Sequence, residues 1–91
     1  MRLPEQQVED DLFAGVRALG GMSFKFAPIT SGVPDRVVIL PQGRIYFVEL
    51  KKPGGRTRPI QVVMHDKMAR RGVEVVRLSS RQEVAKWLGQ F

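Results

Sequence analysis

Asp35, Glu49 and Lys51 are the residues of this 91-residue chain whose types and spacing could do chemistry. Asp35 opens one apolar run, Asp35 to Leu40 (DRVVIL), and Glu49-Leu50-Lys51 closes another that starts at Arg44 (RIYFVEL). Pro41-Gln42-Gly43 lies between them as a short turn. Three charged groups thus gather at one end of a hairpin whose composition is that of a buried one, where an unpaired charge is costly. Two carboxylates placed there must share a proton, pair with cations or hold a metal ion. One answer is a Glu-Lys-Asp salt-bridge cluster with Lys51 as the cation. The other is a hard divalent ion, Mg²⁺ or Mn²⁺, which takes one or two carboxylates with carbonyls and waters. Asp35, Glu49 and the main-chain carbonyl of Leu50 suit such an ion. It would lower the pKa of a bound water and polarise a phosphoryl group. Lys51 would orient the attacking water and stabilise the charge that develops.

The hairpin has to bring these groups together, and its register can be read from the turn. A three-residue turn that leaves Leu40 opposite Arg44 also sets Ile39 against Ile45, Val37 against Phe47 and Asp35 against Glu49. Directly opposed residues share a face of the sheet, and Lys51, two residues beyond Glu49, shares it too. Both runs are almost continuous β-formers, as in central strands covered on both faces.

The flanking segments supply further candidates. Pro4 to Leu19 reads as a first helix with Val8, Leu12, Val16 and Leu19 as its apolar stripe, ended by Gly20-Gly21. Glu9 faces the edge of that stripe. It is either a carboxylate favoured by the helix dipole or a contributor to the site. Met22 to Ala27 alternates and reads as a half-exposed strand, with Met22, Phe24 and Phe26 on one face. Lys52 to Arg58 is a basic, glycine-rich loop in which Lys52, Arg56 and Arg58 stand where a phosphate backbone would be bound. Thr57 or Arg58 caps a second helix that runs to about Arg71. Pro59 lies in its first turn, and Ile60, Val63, Met64 and Met68 form its inner face. Gln61 flanks that face, and His65 reads as a helix-surface residue. Val73 to Leu78 is a fourth strand, parallel to its neighbour because a helix crosses over between them. Ser80-Arg81-Gln82-Glu83 is a capping box that opens a last helix, with Val84, Trp87 and Leu88 turned inward.

Composition bounds the function. Residues 1-91 make one domain with a modest core. The absence of Cys excludes disulfides and thiolate metal sites, and a single His excludes a multi-histidine zinc site. No apolar run approaches a membrane span, and the opening MRLPEQQVEDD lacks the apolar middle of a signal peptide. No membrane partner and a cytoplasmic location are therefore expected. A net charge of +6 favours a polyanion, nucleic acid first.

These residues carry a resemblance. Pro34-Asp35, an apolar hairpin and then Glu49-Leu50-Lys51 resemble the signature of the PD-(D/E)xK nucleases. Glu9, Gly32-Val33-Pro34-Asp35, Phe47-Val48-Glu49-Leu50-Lys51-Lys52, Gln61 and Gly72, in that order, resemble the VRR-NUC (virus-type replication-repair nuclease) family over nearly the whole chain. The resemblance implies an α/β fold with a restriction-endonuclease-like αβββαβ core. In that fold a mixed four-stranded sheet is flanked by helices, and here a C-terminal helix is added. It implies a Mg²⁺- or Mn²⁺-dependent endonuclease that cuts DNA, often branched DNA such as four-way (Holliday) junctions or flaps, in phage or bacterial replication and repair. It makes Asp35, Glu49 and the Leu50 carbonyl metal ligands and Lys51 the catalytic lysine. Glu9 becomes a ligand directly or through water, and Gln61 positions the site. Small members of the family resemble dimeric junction resolvases, so a homodimer is expected. The alternative is a basic nucleic-acid-binding module that keeps the fold without catalysis.

Overall fold

A computed structural model describes residues 3–91; Met1 and Arg2, which begin the MRLPEQQVEDD stretch, lie outside the described residues. The chain runs α1 (Pro4–Ala18), β1 (Met22–Lys25), β2 (Arg36–Leu40), a 3-10 turn (Pro41–Gly43), β3 (Arg44–Leu50), α2 (Pro59–Ala69), β4 (Val75–Leu78) and α3 (Arg81–Leu88). The sheet order is β1-β2-β3-β4, antiparallel until the last pair, where the α2 crossover makes β4 parallel to β3. This is the expected mixed four-stranded sheet with flanking helices.

The hairpin register is the one the turn length implies: Leu40 pairs with Arg44, Ile39 with Ile45 and Val37 with Phe47. Gln42 and Gly43 reverse the chain at φ 71° and 73°, conformations in the left-handed region that tight turns use. The alternation of side chains then sorts the sheet into two faces. Val38, Leu40, Val48 and Leu78 join Val8, Leu12 and Val16 of α1 and Val84 of α3 in the core. Tyr46 lies on that side too, its ring 5.3 Å from Trp87 and 5.5 Å from Phe91, so the chain end is docked by aromatic edges.

The other face departs from expectation. It is not covered throughout. Met22, Phe24 and Ile45 are 56%, 43% and 58% exposed, and the register sets them in rows with Ile39 and Val37. The apolar side of β1 therefore points away from α1, because α1 and α3 already fill the opposite face and α2 reaches only the β3–β4 side. The inner face of α2 is also not the one its apolar residues suggest. Ile60 and Val63 are exposed and Met64 and Met68 half-buried, while Gln61 and His65 are buried at 4% and 2%. The wall that α2 packs against carries Glu49, Lys51 and Arg77, and a polar wall selects polar helix residues. His65 is thus not a helix-surface residue.

Candidate functional site

The site is assembled at the end of β3 from two strands, one loop and one helix. Asp35 immediately precedes β2, where its carbonyl accepts a hydrogen bond from the Phe26 N–H at 2.9 Å. Continuing the observed register by one pair sets Asp35 against Glu49, on the α2 face. The fully buried Pro34 fixes the approach to it. Gly32, at φ +86°, lies so close to α2 that a Cβ would stand 2.6 Å from the Ile60 carbonyl oxygen. A glycine is required there, and its contact seats the loop before Asp35 against the first turn of α2.

Glu49 is buried, 7% exposed. Burial pushes its carboxyl above the ordinary range; the Lys51 ammonium opposes that shift, the Asp35 carboxylate adds to it and Arg58 opposes it more weakly. The net upward direction means that Lys51 and Arg58 do not fully offset the effect of burial, to which the Asp35 charge adds. Lys51 Nζ lies 3.5 Å from Glu49 Oε2 and donates a 2.9 Å hydrogen bond to Gln61 Oε1. The same oxygen accepts the Arg58 backbone N–H at 2.9 Å. Arg58 is the N-cap residue of α2 and Gln61 its third helical residue. One side chain therefore closes the helix and holds the lysine. Asp35, Glu49, Lys51 and Gln61 are brought together, with the Leu50 carbonyl in the backbone between Glu49 and Lys51. Lys52, Arg56 and Arg58 are exposed in the loop that follows.

Glu9 stands apart from this group. Its Oε2 lies 3.4 Å from a terminal nitrogen of Arg36, whose side chain is 8% exposed. Arg36 follows Asp35 and so points to the opposite face, under α1. Among the described residues no group of three or more His, Cys, Asp or Glu side chains is gathered closely enough to hold a metal ion. The donor set at the strand end is Asp35, Glu49 and a backbone carbonyl. These are hard oxygens, and two carboxylates completed by carbonyls and waters fit Mg²⁺ or Mn²⁺, which keep several waters of their own. Such a cation would stabilise the ionised form of Glu49, which burial first and the Asp35 charge second disfavour.

Next to Glu49 stands a polar pair that apolar periodicity does not mark. Arg77 Nε donates to His65 Nδ1 at 3.2 Å, and Arg77 is the parallel-strand partner of Glu49. Burial, then the positive charge of Arg77 and of Lys51, holds the His65 imidazole below its ordinary pKa. The signal in the sequence was spacing: His65 follows Gln61 by one helical turn and must share its direction.

No protein-family model matches the chain. Over 78 residues, 85% of this chain and 84% of the relative, it is 42% identical to a protein named provisionally as nuclease p44 of Acyrthosiphon pisum secondary endosymbiont phage 1. A solved structure named VRR_NUC domain superposes with a TM-score of 0.89 at 33% identity, covering 99% of both chains. Another, named VRR_NUC domain protein, superposes with a TM-score of 0.71 at 16% identity over 100% of this chain and 89% of that one, a likeness of fold.

Proposed function

The chain belongs to the VRR-NUC nucleases, and from that premise we propose that it is a Mg²⁺- or Mn²⁺-dependent endodeoxyribonuclease, one domain over its 91 residues, that hydrolyses phosphodiesters in branched DNA. The observation that carries the reading is the double tether of Lys51, 2.9 Å from Gln61 and 3.5 Å from Glu49, beside Asp35 at the strand end. Asp35, Glu49 and the Leu50 carbonyl would hold the ion, and Glu9, released from Arg36 or acting through water, would complete its shell. When bound, the ion supplies Lewis-acid polarisation of the phosphoryl oxygen and neutralises charge there. Lys51 orients the water whose oxygen attacks phosphorus while the bond to the leaving oxygen breaks. Its ammonium offsets the negative charge that builds on the phosphoryl oxygens. Gln61 keeps the ammonium aimed. Lys52, Arg56 and Arg58 grip the flanking phosphates.

The uncovered apolar rows of Met22, Phe24 and Ile45 suit a second copy of the chain. Two copies would supply the paired cuts that a four-way junction requires. A phage or bacterial replication-repair setting, and hence the cytoplasm, fits this reading. Among the described residues no helix is long and apolar enough to cross a membrane.

The test is cleavage of linear, flap and four-way DNA with Mg²⁺ or Mn²⁺, alongside sedimentation of the protein and of Ile45→Lys. Metal-dependent cutting that favours the branched forms is expected from a dimer, with Ile45→Lys a monomer that no longer cuts junctions in pairs. Salt-sensitive binding without hydrolysis for any metal would identify a binding module instead.

A further inference from the structure

We propose that His65 is a positioning residue that latches Arg77 away from Glu49 and so keeps that carboxylate open to a cation. The inference rests on the metal-site reading above and adds residues to it. Glu49 and Arg77 are register partners on adjacent parallel strands, and their side chains leave the sheet on the same face, Glu49 buried and Arg77 exposed at the outer strand. A guanidinium so placed beside a buried carboxylate would ordinarily close on it, since a bidentate arginine–carboxylate pair is among the stronger polar contacts a protein makes. Here it does not. Glu49 is paired with Lys51, and the Arg77 Nε–H goes instead to His65 Nδ1 at 3.2 Å. His65 has little freedom to do otherwise. It is 2% exposed, one turn below Gln61 on the buried side of α2. Its Nε2 is buried without a hydrogen-bond partner among the described residues. The tautomer that accepts at Nδ1 carries its proton on that Nε2. The downward shift of its pKa by burial, Arg77 and Lys51 keeps it in this neutral, accepting form.

The consequence is a division of cations. Lys51, a compact ammonium held by Gln61, stays beside Glu49 and leaves part of the carboxylate uncovered. Arg77, whose fork would cover both oxygens, is exposed and gives its Nε–H to His65.

The test is Mn²⁺ affinity, measured by EPR titration in the absence of DNA, for the native protein, His65→Leu, His65→Asn, Arg77→Ala and His65→Leu/Arg77→Ala. Leu removes the acceptor while filling the space, and Asn places an oxygen near the position of Nδ1. His65→Leu is expected to weaken Mn²⁺ binding roughly tenfold or more, because the released guanidinium competes for the carboxylate. His65→Asn and Arg77→Ala retain native affinity, and adding Arg77→Ala to His65→Leu restores it. Native affinity in His65→Leu, or a double variant as weak as His65→Leu alone, overturns the latch, the second result marking His65 as a packing residue. A native protein that binds no Mn²⁺ overturns the metal site itself. The latch is then decided by the NMR signal of Arg77 Nε–H, which should respond to Glu49→Gln in the His65→Leu background and not in the native one. A signal indifferent to Glu49→Gln in both refutes it.

Discussion

Replacing Gln61 by Leu separates the two tasks given to one amide. Gln61 is 4% exposed and its Oε1 accepts from Lys51 Nζ and from the Arg58 N–H, both at 2.9 Å. Leu occupies nearly the same space, so no large cavity adds to the cost. Loss of the neutral bond to the Arg58 N–H costs about 0.5–1.5 kcal/mol, and loss of the bond to the lysine, being charge-assisted, about 1.5–3 kcal/mol. Lys51 is 20% exposed at its side chain and keeps Glu49 at 3.5 Å, so the lower end of the second range applies. The expected loss of stability is about 2–3 kcal/mol, measured by urea unfolding of the metal-free protein. The ammonium, held on one side only, should also lose its aim. A single-turnover cleavage rate roughly 10- to 100-fold below native is expected, equivalent to about 1.4–2.7 kcal/mol of barrier. Gln61→Glu keeps an acceptor for both donors and should stay within about 1 kcal/mol of native stability. If Gln61→Leu loses stability as expected yet cuts at the native rate, Gln61 is a helix cap and nothing more.

Three further outcomes follow from the same geometry. His65 is shifted down from 6.5, so the stability of its neutral form is present above about pH 6.5 and is lost as pH falls through the lowered folded value. Glu49 is shifted up from 4.5, so its protonated form stabilises the fold at low pH and that contribution is lost as pH rises through the raised value. Thermal unfolding of the metal-free protein should accordingly show His65→Leu with a flatter acid limb and Glu49→Gln more stable than native at pH 7. Glu9→Gln leaves the Arg36 guanidinium buried without its counter-charge and should cost about 1–2 kcal/mol in urea unfolding, discounted because the Glu9 side chain is 39% exposed. Neutralising Lys52, Arg56 or Arg58 singly should weaken DNA binding on all sequences alike and lower the slope of log affinity against log salt by about 1 each.

The hairpin and its charged end were legible in the sequence, because a short turn fixes register and register fixes face. The α1 stripe of Val8, Leu12 and Val16 was legible for the ordinary reason that it packs on an apolar wall. α2 was not, and the cause is physical. Apolar periodicity assumes an apolar wall, whereas α2 packs beside Glu49, Lys51 and Arg77 and turns Gln61 and His65 toward them, leaving Ile60 and Val63 outside. β1 was legible as a half-exposed strand. Its alternation identified the apolar face, and Met22 and Phe24 on that face are open because α1 and α3 lie across the sheet. The partners of Arg36 and Arg77 depend on which residues meet across elements distant in the chain. Nothing in local spacing ties Arg36 to Glu9, whereas the one-turn step from Gln61 did mark the direction of His65.

In the proposed reaction Lys51 acts in the chemistry beside a metal held by Asp35 and Glu49. Its most direct test is a single-turnover measurement on a four-way junction with saturating Mn²⁺, native against Lys51→Ala, with Mn²⁺ and junction affinities determined for both. Lys51→Ala is expected to bind ion and junction within a few-fold of native while its cleavage rate falls about 1,000-fold or more. Cutting by Lys51→Ala at the native rate, or native cutting that persists in EDTA, would contradict it.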